Sequence, residues 1–304
     1  MRILITGAYG FIGKAARALL VQRGHVILPA IHPDDQDVSI TSSFPEVIVA
    51  DLTREGALDV APGLSPQVVV HLAAEKPASF EGEEAKRTAD ANARMDRNVI
   101  RFCQETGTGL VFASGTSVYG LKHNRPMVES DPIDPVGPYV RQKAETEELG
   151  LQTLSENGVS FTSLRICAPY GPGQKARTVL NVFIERALQD RPLLYHGSGK
   201  RQQDFTYVGD IAEAISLAVE RGKSGIFNIA AGRPVTMRRL AELVVDCVDG
   251  CKSVVQPSGA DDPQEGETAL FSIEKAKVEL GWEPRTSLKE GVRICVTYRL
   301  AEGR

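Results

Sequence analysis

Apolar residues in the first half of the chain fall into short, nearly unbroken runs, separated by longer stretches where apolar and polar positions alternate with helical spacing. The short runs are Arg2–Thr6, Val26–Ile31, Val47–Ala50, Val68–Leu72, Leu110–Ala113 and Phe161–Ile166. A strand open to water on one side alternates apolar with polar residues, so runs that are apolar throughout predict strands covered on both faces. Between them, Ile12–Gln22, Ala85–Glu105 and Tyr139–Glu156 carry helical periodicity. Strands alternating with helices predict an α/β fold with a doubly wound parallel sheet, occupying residues 1–168. After Pro169, Gly, Pro and polar residues thicken through Tyr170–Arg177, His196–Gln203 and Pro257–Thr268. Short helices are expected between these loops at Val179–Gln189, Ile211–Glu220, Arg238–Asp246 and Ile273–Leu280. Residues 169–304 then form mainly a smaller substrate-binding lobe, with part of 204–230 returning to the first domain.

Composition narrows the class. Of 304 residues 42% are hydrophobic, enough for a sizeable core, and 35 Lys and Arg face 39 Asp and Glu for a net charge of −4. Nucleic-acid and membrane-surface binders carry basic clusters, which are missing here, so neither partner is expected. No apolar run approaches the ~20 residues that cross a bilayer. Met1–Gly7 leads directly into a motif with no leader pattern, so the expectation is a cytoplasmic protein. The five cysteines, Cys103, Cys167, Cys247, Cys251 and Cys295, are scattered without a histidine cluster. They are read as buried thiols, and no metal site is expected.

The first chemical signal is Thr6-Gly7-Ala8-Tyr9-Gly10-Phe11-Ile12-Gly13, placed between the first strand and the first helix. Glycines in that setting give a tight turn, close approach of backbone to a pyrophosphate and close helix–strand packing, and the helix N-terminus offers free N–H groups to phosphate. The fold is therefore read as a Rossmann domain binding a nicotinamide dinucleotide. Asp51 and Leu52 at the end of the third strand and Leu72, Ala73 and Ala74 at the end of the fourth are placed at carboxyl ends of strands, where such sheets bind ligands. Asp51 is a candidate acceptor for the adenine amino group, against the plainer reading of a turn cap. The second strand ends Leu28–His32 with no carboxylate until Asp34 and no Arg for a 2′-phosphate, which leaves NAD or NADP open.

Tyr139 and Lys143 are four residues apart, on one face of a helix. A phenol with a free pKa of ~10 works as an acid or base near neutrality only if its anion is stabilised, and a neighbouring ammonium does that. Ser114 and Thr116, in the segment Phe112–Gly120 after the fifth strand, bring hydroxyls to the same place.

These motifs resemble those of the extended short-chain dehydrogenases/reductases, in the NAD-dependent epimerase/dehydratase family. The resemblance runs on through Asn92, Leu164-Arg165, Tyr170–Gly173, Asp204–Asp210, Phe227–Ile229 and Leu280–Pro284, nearly the whole chain. It implies that Tyr139 is the general acid/base, Lys143 its partner and a hydroxyl at Ser114 or Thr116 the group that polarises the substrate oxygen, with Thr116 slightly favoured. It also implies that Asn92 is near the cofactor and that helices Ala85–Glu105 and Tyr139–Glu156 pair in a homodimer.

Departures from the family pattern sharpen the reading. The usual hydroxyl position, four before the Tyr-Gly pair, is Gly115, and the acid pair of dehydratases is replaced by Thr116 and Ser117, which disfavours elimination and decarboxylation. Ala168 replaces an Asn and Gln203 an Arg on the substrate side, with Lys200 and Arg201 near enough to substitute. Glu75 and Lys76 are candidates for substrate contact at the site's mouth, while Lys122 and His123 are read as solvated, Arg165 as structural, and Trp282 as packing the small lobe. The resemblance implies oxidoreduction at a sugar carbinol or ketone carbon, foremost C4 epimerisation of a nucleotide-activated sugar. A 4-ketoreductase and a non-catalytic NAD(P)-binding regulator are the alternatives.

Overall fold

The computed structural model describes residues 1–35, 46–59, 65–77, 81–120, 125–266 and 268–302. Seven parallel strands form one sheet: β1 (Arg2–Thr6), β2 (Val26–Ile31), β3 (Ile48–Val49), β4 (Val68–His71), β5 (Gly109–Gly115), β6 (Phe161–Ile166) and β7 (Gly225–Ile229). Their order is β7-β6-β5-β4-β1-β2-β3, so the chain reverses direction of travel beside β1 and β4. A reversal leaves a crevice at the strands' carboxyl ends, the place where doubly wound sheets hold ligands.

Successive side chains of each strand serve opposite layers. Ile3 and Ile5 of β1 pack with Ala16 and Leu20 of α1 (Phe11–Gln22). Leu4 points the other way, joining Met95, Val99 and Phe102 of α2 (Gly82–Thr106). The next helix, α3 (Pro138–Thr153), lies beside α2 on that second face. It ends at Thr153, short of the Glu156 expected; a separate 3₁₀ turn covers Ser155–Asn157.

Residues beyond Pro169 split between two bodies. The helices α4 (Val179–Leu188), α6 (Met237–Cys247) and α7 (Leu288–Glu302) share a separate core built on Phe183, Leu193, Leu240, Val244 and Val292. In contrast, α5 (Val208–Arg221) packs on α1, and β7 extends the main sheet. Trp282 departs from its expected place in the small lobe. It is fully buried against the α1–α5 layer, and its indole N–H donates to the Asp210 carbonyl at 2.8 Å. The predicted helix at Ile273–Leu280 is a short π-helical segment, Ala276–Leu280, delivering Leu280 and Trp282 to that layer.

Arg165 on β6 fixes α3 to the sheet, in keeping with its structural reading. Its guanidinium pairs with Glu147 of α3 at 2.6 Å, both side chains being 3% exposed or less, and stacks 4.6 Å above the Tyr119 ring. The Ser163 hydroxyl also donates to Glu147. Removing one partner of such a pair strands a charge in the interior. Arg165→Met is accordingly expected to lower unfolding stability by about 3–5 kcal/mol, read in urea denaturation, through Glu147 rather than through lost packing volume.

Candidate active site

The turn between β1 and α1 is built so that only glycine fits. Gly7 takes φ +65°, and a methyl group there would stand 2.7 Å from the Ala73 nitrogen. At Gly13 a methyl would lie 2.1 Å from the Gly7 carbonyl oxygen, so α1 starts almost in contact with the turn. Gly10 caps α1 without any side-chain hydrogen bond, leaving the first N–H groups of the helix to a ligand. Tyr9 in the turn carries the Arg17 guanidinium 4.4 Å above its ring, while Phe11 and Ile12 open the helix. A backbone cradle of this kind fits a dinucleotide pyrophosphate.

The cradle is joined to the end of β4. Thr6 Oγ1 accepts hydrogen bonds from the N–H groups of Leu72 and Ala73, both at 3.2 Å. Leu72 and Ala73 are half-buried and Ala74 is exposed, lining the crevice with small side chains. Asn92 is fully buried on α2, and its amide clasps the loop after β4, accepting from the Glu75 N–H and donating to the Glu75 carbonyl, both at 2.8 Å. Glu75 and Lys76 are thereby held at the mouth with exposed side chains. Asp51 has the partners of a turn cap: it accepts from the Thr53 hydroxyl at 2.6 Å and its N–H at 3.0 Å, and from Arg54 at 3.1 Å. Those hydrogen bonds, Thr53 first, hold its carboxyl below the usual range despite partial burial. Leu52 beside it belongs to the core.

Tyr139 and Lys143 share a face of α3 as the spacing predicts, with the ammonium 6.0 Å from the Tyr139 ring centre and 4.4 Å above the Phe112 ring. The ammonium is buried and the phenol half-buried at the crevice. Because α3 connects parallel strands it must run back against them, so moving from Phe112 to Ser114 along β5 climbs from Lys143 toward Tyr139. Ser114 pairs in register with Arg165, whose side chain meets α3, and so shares that face. Its hydroxyl is buried and has no hydrogen-bond partner among the described residues, a cost that a ligand oxygen would remove. Thr116 is buried as well, beside Cys167, whose thiol donates to the Asp204 carbonyl at 3.4 Å. Next along this segment comes Ser117. It is exposed, and its hydroxyl lies 3.3 Å from where a side chain on Gly115 would begin, filling the space that glycine vacates.

The substrate-side candidates are dispersed around the lobe. Ala168 takes φ +26°, a left-handed conformation that Asn or Gly adopts with less strain. Gln203 is half-buried in a two-residue strand paired with Val235. Arg201 is committed in part, donating to Asp262 at 3.0 Å and to Gln264 at 2.9 Å. Lys122 and His123 lie outside the described residues. Among the described residues no His, Cys, Asp and Glu group has the arrangement of a metal site. Cys103, Cys167, Cys247 and Cys295 are buried, as expected; Cys251 is half-buried.

Asp204, at the root of the lobe, is completely buried. One of its oxygens accepts from the Gly232 N–H at 2.6 Å. Desolvation pushes its pKa up to about 6. The folded state therefore binds this proton more tightly than the unfolded chain, and the group's contribution falls as pH rises from about 4 to about 6. At ~1.4 kcal/mol per unit the difference is of order 3 kcal/mol. Asp204→Asn, which keeps an acceptor for Gly232, should remove that slope from a plot of unfolding free energy against pH.

With this geometry in place, the comparisons agree with one another. A model of the "NAD dependent epimerase/dehydratase family" matches residues 3–230. A putative UDP-glucose 4-epimerase of Methanocaldococcus jannaschii is 28% identical over 97% of both chains. A dTDP-4-dehydro-6-deoxyglucose reductase of Escherichia coli is 29% identical over 95% of both. The crystal structure of UDP-glucose 4-epimerase from Thermotoga maritima, with UDP-glucose, superimposes with a TM-score of 0.88 at 28% identity, covering each chain fully. No helix among the described residues is long and apolar enough to cross a membrane. A nucleotide-phosphate cradle, a Tyr–Lys pair beside an unpartnered hydroxyl, and a family match over three-quarters of the chain lead to one conclusion: this protein belongs to the NAD-dependent epimerase/dehydratase family of extended short-chain dehydrogenases/reductases.

Proposed function

We propose that the protein is a 4-epimerase of a nucleotide-linked hexose that keeps its NAD through the catalytic cycle. The observation that carries this reading is the placing of Tyr139, Lys143 and the unpartnered Ser114 hydroxyl on one face, level with the glycine cradle. Tyr139 removes the proton of the C4 hydroxyl and later returns one. Ser114, rather than Thr116, donates a hydrogen bond to the C4 oxygen, and Lys143 holds positive charge beside the phenol. Bound NAD supplies the acceptor and donor for the hydrogen on C4. Thr116 and Ser117 bring no carboxylate to the segment, so no acid is at hand there to expel a neighbouring hydroxyl. Gly7, Gly10 and Gly13 with the start of α1 hold the pyrophosphate, and Leu72–Ala74 the cofactor's middle. Residues 169–304 are mainly the substrate lobe, with Glu75, Lys76, Ala168, Arg201 and Gln203 around the sugar nucleotide.

A ketoreductase using the same residues is the second reading, favoured by the 29% identity to the dTDP-sugar reductase. Proton NMR of UDP- and dTDP-hexoses incubated with the protein and no added cofactor decides between them. Conversion between the C4 epimers supports the proposal. No conversion, with turnover of a 4-keto sugar only on adding NADH or NADPH, replaces it with the reductase. We further place the protein in the cytoplasm as a homodimer joined through α2 and α3, which sedimentation at micromolar concentration would test by mass.

A further inference from the structure

Beneath the Tyr139–Lys143 face lies a buried polar chain that the proposed chemistry does not use. Asp96, on α2, is 1% exposed and has partners on both oxygens. One accepts from His71 Nε2 at 2.9 Å, and the other from the Gln142 amide at 2.5 Å and the Thr146 hydroxyl at 2.8 Å. Gln142 precedes Lys143 directly, and Thr146 is one turn below it. On the far side, His71 Nδ1 meets the Thr6 hydroxyl at 2.6 Å. Thr6 Oγ1 already accepts from two backbone N–H groups, so its lone pairs are used and its own hydrogen must point to His71. That fixes the tautomer, with hydrogen on Nε2 directed at Asp96. The relay is thus oriented from the glycine-turn strand, through β4 and α2, to the helix bearing Lys143.

We propose that Asp96 is a positioning residue for Lys143, supplying the buried negative charge that balances its ammonium and tying the catalytic helix to the cofactor cradle through His71 and Thr6. Two buried groups of opposite charge support each other only when both remain ionised. The Lys143 ammonium stands 4.4 Å over the Phe112 ring, whose centre is 6.0 Å from that of the His71 imidazole. His71 donates to Asp96, and Gln142 next to Lys143 donates to the same carboxylate, so the two buried groups occupy neighbouring places in one layer. Burial works against the Asp96 charge, yet the charge of Lys143 and the His71 hydrogen bond hold its carboxyl below the ordinary range. The other charged or titratable groups facing this region are accounted for. Glu147 on α3 is paired with Arg165 on β6, Arg165 covers Tyr119, and Tyr139 is at the crevice end of α3. Among the described residues of this buried layer, Asp96 is therefore the carboxylate not already matched to a guanidinium.

The inference rests on the assignment of Lys143 to the active site, and its test is separable from that assignment. Asp96→Asn keeps the shape and the acceptor for His71 but removes the charge. The variant is expected to turn over within a few-fold of the parent at pH 6.5, then lose about tenfold in kcat by pH 9, where the parent holds its rate. A profile that superimposes on the parent's overturns the proposal. Thermal melts of Lys143→Met, Asp96→Asn and the double variant give a second readout that needs no activity. If the charges balance each other, the double variant melts above whichever single variant is less stable, even should Asp96→Asn alone fail to fold. Additive losses overturn it. Loss of turnover in Tyr139→Phe bears on the catalytic assignment alone, so the two claims fail independently.

Discussion

Tyr139→Phe should lose about 10²–10⁴-fold in kcat, the span that a positioned acid/base contributes, while leaving the nicotinamide bound. The phenol is half-buried at the crevice with its ring 6.0 Å from the Lys143 ammonium, and the substitution deletes one oxygen without disturbing α3. Because the Ser114 hydroxyl and the glycine cradle remain, substrate and cofactor affinity should change little. The split between kcat and KM is therefore the informative quantity. Turnover within tenfold of the parent contradicts the role assigned to Tyr139. An equal loss of cofactor would mean that the ring holds the nucleotide rather than moving a proton.

Gly13→Ala is the second large effect expected, and it acts on the other half of the site. The added methyl would lie 2.1 Å from the Gly7 carbonyl oxygen and 2.9 Å from the Ala8 carbonyl carbon, both backbone atoms with no side chain to swing aside. Either α1 backs away from β1 or the turn opens, and both displace the N–H groups offered to the pyrophosphate. Overpacking of this kind costs about 1–3 kcal/mol or more in stability. A loss of at least a hundredfold in NAD affinity should accompany it, measured by calorimetry on protein stripped of nucleotide. Gly10→Ala is the matched control. Its methyl would come only to 3.2 Å of the Gly7 oxygen, so a much smaller loss is expected. Equal affinities for all three proteins would remove the cradle from the account.

The sheet and its first-face helices were legible because parallel strands covered on both sides must be apolar throughout, and Arg2–Thr6 or Val68–His71 have no other reading. The Tyr139–Lys143 face followed from helical spacing alone. Other features rest on contacts that sequence does not encode locally. Helix α7 buries only Gly291, Val292, Cys295 and Val296 among charged neighbours, a stripe too thin to announce a helix. Trp282 is reached through a π-helical segment whose direction no periodicity specifies. Asp96 sits between Met95 and Arg97, where a carboxylate on a helix reads as solvated; its partners come from residues 25 to 50 positions away. The preference for Ser114 over Thr116 likewise turned on tertiary packing, which buries the Ser114 hydroxyl with no partner among the described residues.

The central claim is that hydrogen leaves C4 and returns to it on a nicotinamide the protein does not release. The measurement that meets it most directly is mass spectrometry of the nucleotide freed by denaturing protein purified without added cofactor. Close to one NAD or NADH per chain is expected. Protein that emerges empty and binds NADPH or NADH reversibly in solution would contradict it, and would make the chain a reductase with an exchanging cofactor.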